Sequence, residues 1–266
     1  MPSAMCSGRV AALLAVLALS FAGAATVPAA AGTIAPADAV ELLKQSDVAS
    51  HSPESFRARL RITALHDPPE PMEVEVWRSG ESKSLVRFLG PKERGKYLLR
   101  LDGVGWFLAP GAKRPVKVGT AHRLRGGASL DDLLGIRYGR DYVIESATET
   151  EGTDGSLVVF DLAARNPHAP YPKVRYVVRR ATHRPVRAEY LLKSGKTSST
   201  VEFLEWEEGS RPVVHRLVLS DRLRSGLRTE VTLLELEERR IPEGLFDLKD
   251  ATERKKLEER RPEAGS

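Results

Sequence analysis

The chain has 266 residues, 41% hydrophobic and 29% charged, with a formal net charge of +5. This is the composition of an ordinary folded chain, and it excludes a disordered or low-complexity one. Basic and acidic residues alternate along the same segments rather than gathering in one patch, which argues against nucleic acid as a partner.

The N-terminus carries the pattern of an export signal. Arg9 supplies a positive start, residues 10–21 form an apolar stretch too short to span a bilayer, and small residues follow. Ala29-Ala30-Ala31 before Gly32 fits a cleavage site, with Ala22-Gly23-Ala24 as a rival. The expected division is a signal peptide (1–31), one β-domain (32–249) and a charged C-terminal helix or tail (250–266), with the periplasm as destination. Cys6, the sole cysteine, precedes the apolar stretch. The mature chain would therefore hold no disulfide, thiolate nucleophile or cysteine-bound zinc.

In chain order, residues 35–50 read as an amphipathic helix, with Pro36 near its start and Val40, Leu42, Leu43 and Val48 as its apolar face. Phe56, Ala58, Leu60, Ile62 and Ala64 then alternate with Arg57, Arg59, Arg61 and Thr63, the period-2 pattern of a strand. Met72, Val74 and Val76 alternate with Glu73 and Glu75 in the next. The basic row should face the acidic row, each opposite-charge pair favouring that register by a few tenths to ~1 kcal/mol. Further strands are expected at 85–89, 96–102, 104–109 and 115–118, with Gly103 and Pro110-Gly111 at turns.

Residues 119–127 form a basic loop, and Ser129-Leu130-Asp131-Asp132-Leu133-Leu134 reads as a short helix capped by Ser129. Strands resume at 142–147 and 157–163. Residues 171–206 then form a three-stranded meander: Val174, Tyr176 and Val178 lie on one face of its first strand and Val186, Ala188, Tyr190 and Leu192 on one face of its second. Val201 and Phe203 continue that face, and Thr182 to Pro185 and Ser194-Gly195-Lys196 make the turns. Strands at 213–220 and 227–236, an irregular apolar segment at 241–248 and a solvated charged tail complete the chain.

No motif for chemistry appears. The six histidines show no pair at metal-ligand spacing, and there is no G-x-S-x-G, P-loop, H-E-x-x-H or dinucleotide fingerprint. An enzyme and a bound cofactor are therefore not expected. What the pattern does supply is many strands with one apolar face and few helices to cover it. An unclosed curved sheet of this kind leaves an apolar concavity suited to a ligand. The candidate lining is Leu60, Ile62, Val74, Val76, Tyr176, Val178, Tyr190 and Phe203; periodicity alone leaves open which face is concave.

Several ordered segments resemble the LolA-like outer-membrane lipoprotein-sorting family. Trp106-Phe107-Leu108-Ala109-Pro110 with Lys113 to Val116 is similar to that family's W-x-Y-x-P…K-R hairpin, and Ser129 to Leu134 sits where it has a short S-Y-x-D-L helix. Pro185 to Lys196 resembles its P-x-x-x-E-Y hairpin, Pro212 to Thr229 its late strand pair, and Ile241-Pro242 with Leu245-Phe246 its closing I-P-x-x-L-F. The resemblance implies a mainly β fold, an unclosed curved antiparallel sheet or half-barrel, capped by an N-terminal and a short internal helix. It also implies a hydrophobic cavity for acyl chains, with no catalytic residues and no cofactor. The expected function is a periplasmic carrier taking lipid or lipoprotein acyl chains toward the outer membrane, with residues 119–135 as a lid. An inner-membrane exporter and an outer-membrane acceptor are candidate partners. The alternatives are a periplasmic sensor or regulator on the same fold, or an exporter accessory module docking through residues 122–125 or the tail.

Overall fold

The computed structural model describes residues 32–50, 53–65, 70–112, 114–118, 136–166, 169–209, 212–223 and 227–259. Alternation of side chains every second residue produces fourteen strands in one antiparallel sheet: β1 Gly32–Thr33, β2 Ser55–Ala64, β3 Glu70–Ser79, β4 Lys83–Phe88, β5 Tyr97–Leu101, β6 Val104–Leu108, β7 Val116–Val118, β8 Tyr142–Gly152, β9 Gly155–Ala164, β10 Lys173–Arg179, β11 Pro185–Leu191, β12 Thr197–Glu207, β13 Val213–Asp221 and β14 Arg228–Glu238. Their order is β1-β8-β9-β10-β11-β12-β13-β14-β2-β3-β4-β5-β6-β7. The two ends do not pair, so the sheet stays open, as the sequence leads one to expect. Among the described residues three α-helices accompany it: α1 Pro36–Ser50, α2 Tyr138–Asp141 and α3 Thr252–Glu259. The expected lid and helix at 119–135 lie outside the described residues.

The turns follow their residue chemistry. Asp102 and Gly103 both take positive φ (46° and 79°) between β5 and β6, the two-residue geometry that matches strand twist. Gly195, at φ 84°, reverses the chain between β11 and β12.

One face of the sheet carries the larger core. Phe56, Ala58, Leu60, Ile62, Val74, Val76, Phe160, Leu162, Tyr176, Val178, Ala188 and Val201 pack there with Ala39 and Leu43 of α1. Leu192, expected on the same face, is instead exposed in the turn, because a register shift follows Tyr190. The helix also differs from expectation. Its buried residues are Ala39, Leu43, Ser46 and Asp47, whereas Val40 and Val48 are 60% and 61% exposed. The expected Leu42 and Leu43 do pack on the core with Ala39, but polar Ser46 and Asp47 share the buried stripe with them. Ser46 Oγ shares a hydrogen bond with the Tyr176 hydroxyl at 2.9 Å, and Asp47 accepts from backbone groups of α2.

The opposite face has its own core, and there the expectation of a solvated tail is overturned for Thr252–Glu259. Trp77, Leu85, Tyr97 and Leu99 pack against Ile241, Leu245 and Phe246 of the closing segment, with Leu257 of α3 alongside. The Tyr97 hydroxyl shares its one proton between Glu258 at 2.6 Å and the Arg254 carbonyl at 3.2 Å, and Arg254 is itself buried, donating to the Leu245 carbonyl at 3.1 Å. The tail helix docks because strands β3 to β5 present aromatic and leucine side chains on this side too. Leaving those in water would forfeit roughly 1.5–3 kcal/mol each.

Beside that core runs the expected charge ladder. β2 pairs with β3 in the register Arg61 opposite Glu73 and Arg59 opposite Glu75. The guanidiniums also reach diagonally: Glu73 takes Arg59 at 2.6 Å and Arg61 at 2.9 Å, and Glu75 takes Arg57. Glu75, 2% exposed, is bound from its other side by Arg87, whose guanidinium lies 5.4 Å over the Trp77 ring and donates to the Leu257 carbonyl. A single carboxylate thus bridges two arginines at the base of the docked tail. E75A leaves both without it and should cost about 3–5 kcal/mol in urea unfolding, whereas E75L/R87M should recover most of that loss. A loss below about 1 kcal/mol for E75A would show that Glu75 does not anchor this face.

Candidate functional site

The β8 strand explains where a site can open. Beyond it only β1 pairs, at Thr148 and Glu149, and Ile34 donates to the Ala147 carbonyl. The first residues of β8 therefore form a strand edge among the described residues. Between that edge and α1 lies a cavity of about 840 Å³, within the ~300–1,000 Å³ range of small-molecule sites. Its walls are Ile34, Ala39, Val40, Leu43 and Val48 on one side and Tyr142, Val143, Ile144 and Ala147 on the other. The outward valines of α1 and the exposed Val143 are apolar surface that no described residue covers fully. Charged groups, Lys44, Asp47, Glu81, Arg137, Arg140, Glu145 and Arg165, border the same space.

The frame around the cavity is polar and aromatic. Tyr138 of α2 stacks on Tyr176, with ring centroids 3.9 Å apart, and its hydroxyl meets that of Tyr190 at 3.0 Å. Tyr171 stacks on Tyr190 at 4.0 Å, and its backbone N–H donates to the Tyr142 hydroxyl at 3.3 Å. These contacts tie α2 to the meander. Asp47 then ties α1 to α2, accepting from the N–H groups of Tyr138 at 3.0 Å and Gly139 at 2.8 Å. Gly139 sits close beneath that carboxylate, where an added Cβ would come within 3.1 Å of it.

The eight residues singled out in the sequence come together in one cluster on the α1 side of the sheet: Leu60, Ile62, Val74, Val76, Tyr176, Val178 and Tyr190 are buried, and Phe203 packs partly buried against them. None of them borders the cavity between α1 and β8. Tyr176 and Tyr190 are already stacked on aromatic rings of their own chain. The cavity's own residues were missed in the sequence. A signal was available in Val40 and Val48, which fall outside the i, i+4 spacing of Ala39 and Leu43, and in the apolar, non-alternating Tyr142-Val143-Ile144 at the start of a strand.

With this geometry in view, comparison with known proteins places the chain. A family model described as "-like: Uncharacterized protein" matches residues 80–250. The chain belongs to that family. Its fold is LolA-like: a LolA superfamily protein from Nitrosomonas europaea superposes with a TM-score of 0.71 at 21% identity, over 80% of this chain and 98% of that one. A DUF1329 family protein from Desulfovibrio piger gives 0.67 at 15% identity, over 80% and 98% of the two chains. A domain described as an outer membrane lipoprotein-sorting protein, from Vibrio parahaemolyticus, gives 0.65 at 15% identity, over 78% and 95%. No curated protein matches the sequence.

In this LolA-like frame Asp47 is the titratable group that links cavity and fold. Burial pushes its carboxyl up to about 6, against the lowering effect of its two N–H donors and of Arg137. The folded protein therefore holds this proton where the unfolded chain, with the usual value of 3.8, has released it. The stabilisation is fully present below about pH 4 and is lost as pH rises through about 6, to a limit of about 3 kcal/mol. D47N carries no charge at any pH. The unfolding free energy of wild type relative to D47N should fall as pH rises from about 4 to about 7, measured in urea; a constant difference would contradict the assignment.

Proposed function

We propose that the protein is a non-catalytic periplasmic carrier that shelters acyl chains of lipids or lipoproteins on their way toward the outer membrane. The observation that carries this reading is the apolar cavity between α1 and the open β8 edge. The export pattern of the first residues and a fold shared with a lipoprotein-sorting domain support it. The cluster from Leu60 to Phe203 forms the apolar bed over which α1 sits, and a chain entering beside Val40 and Val48 continues onto that bed as α1 yields.

The task has a simple physical form. Each CH₂ kept from water is worth ~0.8 kcal/mol, so an acyl chain of about 16 carbons resists leaving a membrane by roughly 12 kcal/mol. A carrier must offer comparable apolar surface and still release its load. A helix held by hydrogen bonds from Ser46 and Asp47 meets both demands, because its exposed valines serve the ligand and its polar contacts can re-form around water. The C-terminal helix is already occupied by Trp77, Tyr97 and Arg87, which weighs against the tail as a docking arm for an exporter.

The test is V40D. Val40 is exposed, so the substitution leaves the core intact while placing a carboxylate on the cavity wall. Affinity for a fluorescent fatty acid should drop by about tenfold or more, with the urea midpoint unchanged. Unaltered affinity in V40D would remove the cavity from the account.

A further inference from the structure

The mouth of the cavity holds more positive charge than a shelter for hydrocarbon requires. Lys44, Arg137, Arg140 and Arg165 border it. The acids beside them are largely engaged: Asp47 by two backbone N–H groups, Glu145 by Lys173 at 3.1 Å, and Glu81 by Arg140 at 3.2 Å. Arg140 also forks onto Asp141 at 2.7 and 2.8 Å, and Arg165 donates to the carbonyls of Arg140 and Tyr142, both at 3.1 Å.

Arg137 differs from these. It makes no ion pair with any described residue, and its Nε is buried without a hydrogen-bond partner. A buried donor is expensive to leave unpaired, most of all on a charged group. Behind it Arg78 is buried as well, and burial, together with the like charges of Arg137, Arg140 and Arg100, pushes its pKa down to about 10. The like charges of Arg78 and Arg140 beside Arg137 raise the cost of its unpaired cation, which an anion bound in the cavity would offset at short range.

We infer that the cavity between α1 and β8 takes an anionic amphiphile, its apolar tail along Val40, Val48 and Val143 and its carboxylate or phosphate head accepted by Arg137 at the mouth, with Lys44 adding charge. This rests on the carrier reading and names the class of its ligand. Apolar walls with a cationic rim match a molecule that has hydrocarbon at one end and negative charge at the other. A neutral acyl ester can accept a hydrogen bond from Arg137 but leaves its positive charge uncompensated.

The experiment is calorimetric titration of the delipidated mature protein with lauryl phosphate, laurate, monolaurin and inorganic phosphate, below micellar concentrations. The two anionic amphiphiles should bind about tenfold tighter than monolaurin at low salt, with the gap shrinking as salt is added. R137Q should bring all three within about twofold of one another. Equal affinities in wild type, a gap that survives R137Q, or inorganic phosphate binding as tightly as lauryl phosphate would each overturn the inference. The salt dependence in wild type tests it even if R137Q fails to fold. Monolaurin binding as tightly as the anions leaves the carrier reading standing, whereas no binding of any amphiphile removes both.

Discussion

An open sheet has two faces and two edges, and nothing in its own hydrogen bonding protects them. That constraint governs this molecule. A closed barrel buries one face on itself, but the order from β1 round to β7 never closes. Each face must therefore find its own cover, and among the described residues three helices and the closing segment supply it. One face is covered by α1 above the core from Phe56 to Val201. The other is divided between the arginine and glutamate ladder of β2 and β3, which tolerates water, and the closing segment with α3, which excludes it.

The manner in which α1 is held turns cover into site. Its buried residues mix Ala39, Leu43 and the partly buried Leu42 with polar Ser46 and Asp47, so it gains less from burial than an all-leucine stripe would give. Hydrogen bonds to Tyr176 and to the α2 backbone fix it in place instead. The apolar side chains that an ordinary amphipathic helix would turn inward, Val40 and Val48, face the gap to β8. A cavity with hydrocarbon walls follows directly from that rotation of the helix, together with an edge strand that has no full-length neighbour among the described residues.

Most of this architecture was legible in the sequence. Clean alternation located the strands near their observed positions, the turn glycines marked the hairpins, and the Arg57–Arg61 row opposite Glu73 and Glu75 fixed a register. The rotation of α1 was not legible, because valines at helical spacing look like a buried face and the partners of Ser46 and Asp47 are 130 and 91 residues away. The docked tail was missed for a related reason. A segment as charged as Thr252–Glu259 reads as solvated, yet Arg254 is buried through hydrogen bonds to carbonyls. The runs Leu85-Val86 and Leu98-Leu99 did announce strands buried on both faces, and a second cover could have been inferred from them. The cavity rim depends on Arg137 and Arg140 meeting Lys44 and Arg165 across the fold, a juxtaposition that no local pattern encodes.

The most direct test of the central claim, that this open sheet shelters acyl chains, is native mass spectrometry of the protein purified from cells that make it, followed by organic extraction. The account predicts a mass above that of the polypeptide, with an acylated species recovered in the organic phase. A clean polypeptide mass, with no acylated species extracted and none taken up on incubation with lipid, would contradict it and leave the gap between α1 and β8 as a surface with another purpose.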